Sequence, residues 1–114
     1  MQYKPAARKK PFKQKAGLVN MSYKLEVIAF TIHSCRIIQA AGAHRVELCD
    51  NPMEGGTTPS FGFLQQARHV LEIELYPMIR PRGGDFLYSS DEFELMKQDV
   101  LQCKQLGCDG VVLG

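Results

Sequence analysis

From residue 24 onward, short runs dense in apolar and β-branched residues give way to stretches with apolar positions three or four apart, and the switch recurs along the chain. KLEVIAF over 24–30 predicts a strand. Thr31 can cap a helix, and Ile32, Cys35, Ile38 and Gln39 fall near one face, so a helix is predicted over 32–41 with Gly42 as its stop. HRVELC over 44–49 predicts a second strand, and the turn-rich DNPMEGGTTPS over 50–60 leads into a helix over 60–70. IELYPMI over 73–79 predicts a third strand, with Pro77 tolerated near its end. The clearest helix lies between Ser89 and Gly107. Ser89 and Glu92 form a capping-box pair, Phe93, Met96, Val100, Cys103 and Leu106 form an apolar stripe, and Gly107 ends it. GVVLG over 110–114 predicts a fourth strand. This βαβαβαβ order assigns an α/β class with a parallel sheet and right-handed crossovers.

Strand side chains alternate between two faces. Val27, Ala29, Val46, Leu48, Leu75, Pro77 and Ile79 make a uniformly apolar set suited to helix packing. Glu26, Glu47, Cys49, Tyr76, Met78 and Arg80 then share the other face. Charges inside a parallel sheet are costly unless paired, so these groups form either a structural ion-pair network or a site.

Composition adds an asymmetry. Residues 1–20 hold six of the fourteen Lys and Arg and no acid, which leaves eight basic against twelve acidic residues in the rest of the chain. Residues 1–20 are read as a basic, unstructured leader or a non-native start, and residues 21–114 as the folded part. The leader has Pro5, Pro11 and Gly17, no periodicity and no apolar secretory core, so neither a nucleic-acid partner nor export is expected, and the assignment is cytoplasmic. No apolar stretch approaches the roughly 18–20 residues a membrane span needs. The four cysteines form no CxxC pair, and disulfides are not expected in a reducing compartment.

Candidate chemistry gathers in the loops after the second and third strands, where parallel α/β folds keep their sites. RPRGGDF over 80–86 places Arg80, Arg82, Gly83, Gly84 and Asp85 together, a pattern suited to a phosphate or carboxylate ligand, with Arg82–Asp85 pairing as the alternative. The soft donors at this end are Cys49, Met78 and Met53, a set that selects Cu(I), although a buried cysteine beside a methionine is usually core and spacing alone favours that reading. His33, His44 and His69 show no HxH or HExxH spacing. Cys103 and Cys108 straddle a helix end and read as core in preference to a shared metal site.

The strings RVELCDNPMEGGTTPSFG (45–62) and MIRPRGGDFLYSSDEFELMKQDV (78–100), with LEV at 25–27 and LGCDGVVLG at 106–114, resemble the amino-terminal part of the CutC family of copper homeostasis proteins. The resemblance covers residues 21–114 and implies a TIM (β/α)8 barrel, of which this chain supplies three βα units and strand four. Such a barrel takes about 250 residues, so the chain is read as a fragment, with completion by a second copy as the other reading. The resemblance further implies that Glu26, Glu47, Arg80, Arg82 and Asp85 line the pocket and that Cys49 corresponds to a proposed Cu(I) ligand. Many relatives carry a cysteine after the Glu-Val of the first strand, where this chain has Ile28. Two functions compete: Cu(I) binding, and an enzyme acting on a small anion held by Arg80 and Arg82 with Glu26 or Glu47 as general base. A non-catalytic scaffold is the third reading.

Overall fold

The computed structural model describes residues 23–114, and the basic leader over 1–20 lies outside them. The order is β1 (Glu26–Ala29), α1 (Ile32–Ala40), β2 (Arg45–Leu48), a 3-10 turn (Pro52–Glu54), α2 (Phe61–Val70), β3 (Glu74–Ile79), α3 (Ser90–Gln105) and β4 (Val112–Leu113). The four strands form one parallel sheet in the order β1-β2-β3-β4. When each right-handed crossover advances by one strand, every helix falls on the same face and the sheet curls.

Local chemistry starts each helix where the sequence predicts it. Thr31 accepts the Ser34 amide, Ser60 accepts the Phe63 amide, and Ser89 and Glu92 close a reciprocal capping box. Beneath the helices the alternating strand residues Ala29, Val46, Leu48, Leu75 and Ile79 pack with Cys35, Ile38, Leu64, Ala67 and Cys103 into one core. Each fully buried Leu or Ile there contributes about 1.5–3 kcal/mol through removal from water. Pro77 occupies a full strand position without breaking the sheet. The β2 ladder ends at Leu48–Pro77 and the β4 ladder begins at Met78–Val112, so the missing N–H falls where β3 passes from one neighbour to the other.

Two predicted features differ. Phe93 heads the predicted stripe of α3 but is 56% exposed, while Met96 and Val100 are partly buried and Cys103 fully so. Only the C-terminal part of α3 lies over the core, so helical periodicity identifies the stripe without saying how far along it the core extends. β4 spans Val112–Leu113 instead of 110–114, because pairing with β3 begins only at Met78.

Candidate functional site

Register stacks the other sheet face in tiers. In the lowest, Glu26 pairs with Arg45 and Arg45 with Glu74 across the strands. Arg45 donates from Nε to Glu26 at 2.5 Å and lies 4.4 Å over the Tyr76 ring. The guanidinium that engages Glu26 is therefore Arg45. The sequence reading offered Arg80 as the cation of this face, and the same alternation, two residues before Glu47, would have found Arg45. Gly110 presses its backbone against the Tyr76 ring, close enough that a Cβ there would sit 2.6 Å from a ring carbon.

One tier higher, Ile28, Glu47 and Tyr76 are level. Burial pushes the Glu47 carboxyl above the usual carboxylate range, and the charge of Glu26 and a hydrogen bond shared with it add to the rise. Above this, the Cys49 amide donates to the Ala29 carbonyl at 3.0 Å, and extending the β2–β3 register by one residue beyond Leu48–Pro77 brings Cys49 level with Met78 on the same face. The Cys49 thiol is buried and directed at Glu47 Oε1 at 3.8 Å. Burial, reinforced by the Glu47 charge, pushes it up to about 12. Gly56 makes room for this sulfur, since a Cβ there would approach Sγ to 3.3 Å and φ is +97°. Met53 turns away and is 95% exposed, so it does not join Cys49 and Met78.

Arg80 crowns the third strand at 7% exposure, with no carboxylate partner among the described residues. Its guanidinium donates to the carbonyls of Glu54 at 2.5 Å, Gly56 at 3.1 Å and Gly84 at 2.9 Å, its Nε is buried without a partner, and it lies 5.0 Å from the Phe86 ring. Thr58 Oγ1 accepts the Arg80 amide at 2.8 Å and donates back to its carbonyl at 3.1 Å. Arg80 thus ties the loop after β2 to the loop after β3.

Arg82 is occupied differently. It pairs with Glu92 at 2.7 Å and Asp85 at 3.2 Å and donates to the carbonyls of Gly83, Asp85 and Leu87. The Leu87 amide and then Arg82 hold the Asp85 carboxyl below its usual range, and Arg82 lowers Glu92. Gly83 and Gly84 contribute carbonyl acceptors to these arginines. His44 accepts the Leu25 amide through Nδ1 at 2.8 Å. Among the described residues no three His, Cys, Asp or Glu side chains converge as a metal-binding group, and no helix is long and apolar enough to cross a membrane.

An unbroken parallel run of βα units, with helices over one face and charged tiers on the other, is an arc of a TIM-barrel-type α/β protein. The chain belongs to the CutC family, whose pattern matches residues 23–114. A CutC family protein of Chromobacterium violaceum is 60% identical over 90 residues, covering 79% of this chain and 36% of that protein. One from Photorhabdus laumondii is 55% identical over 91 residues, covering 80% and 37%. The crystal structure of the "Putative Copper Homeostasis Protein CutC" from Streptococcus agalactiae superposes with a TM-score of 0.74 at 40% identity, covering 81% of this chain and 46% of that one. The chain thus spans little more than a third of the length of these curated relatives.

Proposed function

We propose that the chain serves copper homeostasis by holding Cu(I) as cargo between Cys49 and Met78. The observation that supports this reading is position: Cys49 and Met78 each follow directly on the last β2–β3 pair, Leu48 and Pro77, which sets them one register step further on the charged face of the sheet. Thiolate and thioether donors select Cu(I) over harder cations. Uptake replaces the thiol proton with the metal, and Glu47, already accepting from that thiol, is the nearest group to receive it. Ile28 brings no third sulfur, so two donors from this chain define the site. Cu(I) and free thiols persist in a reducing compartment, so the reading assigns the chain to the cytoplasm. The name of the structural neighbour supports the copper role.

The test is an anaerobic Cu(I) titration in competition with a chromogenic Cu(I) chelator. Cys49→Ser should abolish the site and Met78→Leu should weaken it, while Cys108→Ser should leave it unchanged. Copper binding that survives Cys49→Ser would sink the proposal.

A second reading rests on Arg80, a buried cation that has neither a carboxylate nor an Nε partner among the described residues. Such a group suits a small phosphate or carboxylate ligand, with Glu47 as the neighbouring acid or base. Thermal shift against inorganic phosphate, compared between the unaltered chain and Arg80→Met, separates the two readings.

A further inference from the structure

At the opposite end of the sheet, α3 closes in a complete Schellman motif. The Cys108 amide donates to the Cys103 carbonyl at 3.0 Å, the Gly107 amide donates to the Lys104 carbonyl at 3.1 Å, and Gly107 takes φ +80°. This closure brings together the side chains three before and two after the helix cap, a contact usually made by apolar residues. Here both are cysteines. They are free thiols that this closure sets on the same side of the helix end, Cys103 only 1% exposed and Cys108 partly exposed.

The charges around the pair are uneven. Arg68 grips both flanks of Cys108, donating to Asp109 at 3.0 Å and to the Gly107 carbonyl at 3.5 Å. The Cys108 thiol is held below its usual range by the Cys103 contact and then by Arg68, against burial and the charge of Asp109. Asp99, one turn before Cys103, adds to the Cys108 contact and burial in holding the Cys103 thiol high.

We infer that Cys103 and Cys108 form a peroxide-oxidisable dithiol that closes to a reversible disulfide across the C-terminus of α3. Cys108 is the entry point, because it is the more exposed of the two and Arg68 holds the residues on either side of it. Its thiolate attacks a peroxide oxygen, the O–O bond breaks, sulfenic acid forms at Cys108, and the thiol proton leaves with the departing oxygen as water. Cys103 then attacks the Cys108 sulfur. An S–S bond forms, the S–O bond breaks, and a second water leaves with the Cys103 proton. Two thiols and one hydrogen peroxide give one disulfide and two waters. The second step is internal, so burial of Cys103 does not impede it.

Trypsin cuts after Lys97 and Lys104, which puts the two cysteines in separate peptides, 98–104 and 105–114. The full chain is treated with one equivalent of hydrogen peroxide, then denatured, alkylated with N-ethylmaleimide and digested without reductant. The expected product is these two peptides linked, two hydrogens lighter than their sum and separated by dithiothreitol, with Cys35 and Cys49 alkylated. Cys103→Ser should retain dimedone-reactive Cys108, and Cys108→Ser should leave Cys103 unoxidised. Recovery of Cys103 and Cys108 both alkylated, a disulfide that includes Cys35 or Cys49, or sulfinic acid at Cys108 beside free Cys103 would overturn the inference.

Discussion

The two ends of the sheet place charge in opposite ways. At the N-terminal edges of the strands, Arg68 and Asp109 form a pair exposed by only 8% and 11%. Arg68 also satisfies the Leu71 and Ile73 carbonyls, and Asp109 accepts the Leu75 amide. At the C-terminal edges, Arg80 has neither a carboxylate nor a partner for its Nε among the described residues, and below it Glu47 is raised by burial and by the charge of Glu26 from the lowest tier. One end holds a closed hydrogen-bonded knot around Arg68, although a buried Glu74 oxygen there has no hydrogen-bond partner among the described residues. The other keeps unused binding capacity at the end where barrel-type folds place their sites.

Breaking the knot should have the largest effect. Arg68→Met removes the cation beside the buried Asp109 and the donor to three carbonyls, and urea unfolding should register a loss of about 3–5 kcal/mol. The same substitution at the other end should cost less, because Arg80→Met abandons three carbonyls but no buried carboxylate: about 1–3 kcal/mol. An equal or larger loss at Arg80 would erase the distinction between the ends.

Thiol chemistry gives the next contrast. With the Cys49 thiol pushed up to about 12, roughly one molecule in ten thousand carries its thiolate at pH 8. Cys108 is held low and is partly exposed. Time-resolved iodoacetamide labelling of the native chain should modify Cys108 at least about tenfold faster than Cys49.

The smallest effect concerns Glu47. Its carboxyl is raised in the folded state, so its contribution to stability is complete below the ordinary carboxylate range and fades as pH climbs through the raised value. Glu47→Gln should therefore raise the melting temperature at pH 7, and the gain should vanish at pH 4. A gain of the same size at both pH values would show that Glu47 is not strained by its charge.

Much of this architecture was readable before any coordinates. The Ser89–Glu92 capping box is local, and the apolar and charged strand faces follow from alternation alone. What escaped depends on partners distant in sequence. Glu26 and Arg45 are nineteen residues apart, and only the β1–β2 register joins them. Arg80 reaches Glu54 across twenty-six residues, an engagement that composition of the RPRGGDF loop cannot reveal. Met53 illustrates the same limit, because a thioether near Cys49 in sequence points into solvent. The spacing of Cys103 and Cys108 was visible, but their contact arises from the left-handed turn at Gly107.

Gly110 carries a consequence for how this chain tolerates mutation. Its bare backbone lies against Tyr76, the ring that supports Arg45, which in turn holds Glu26. A single methyl group at position 110 would tilt that ring and pass the disturbance along three side chains to the first strand. Variation at a site remote from β1 would thus be selected against at β1. A homologue that has lost this glycine should show a compensating smaller residue where Tyr76 stands.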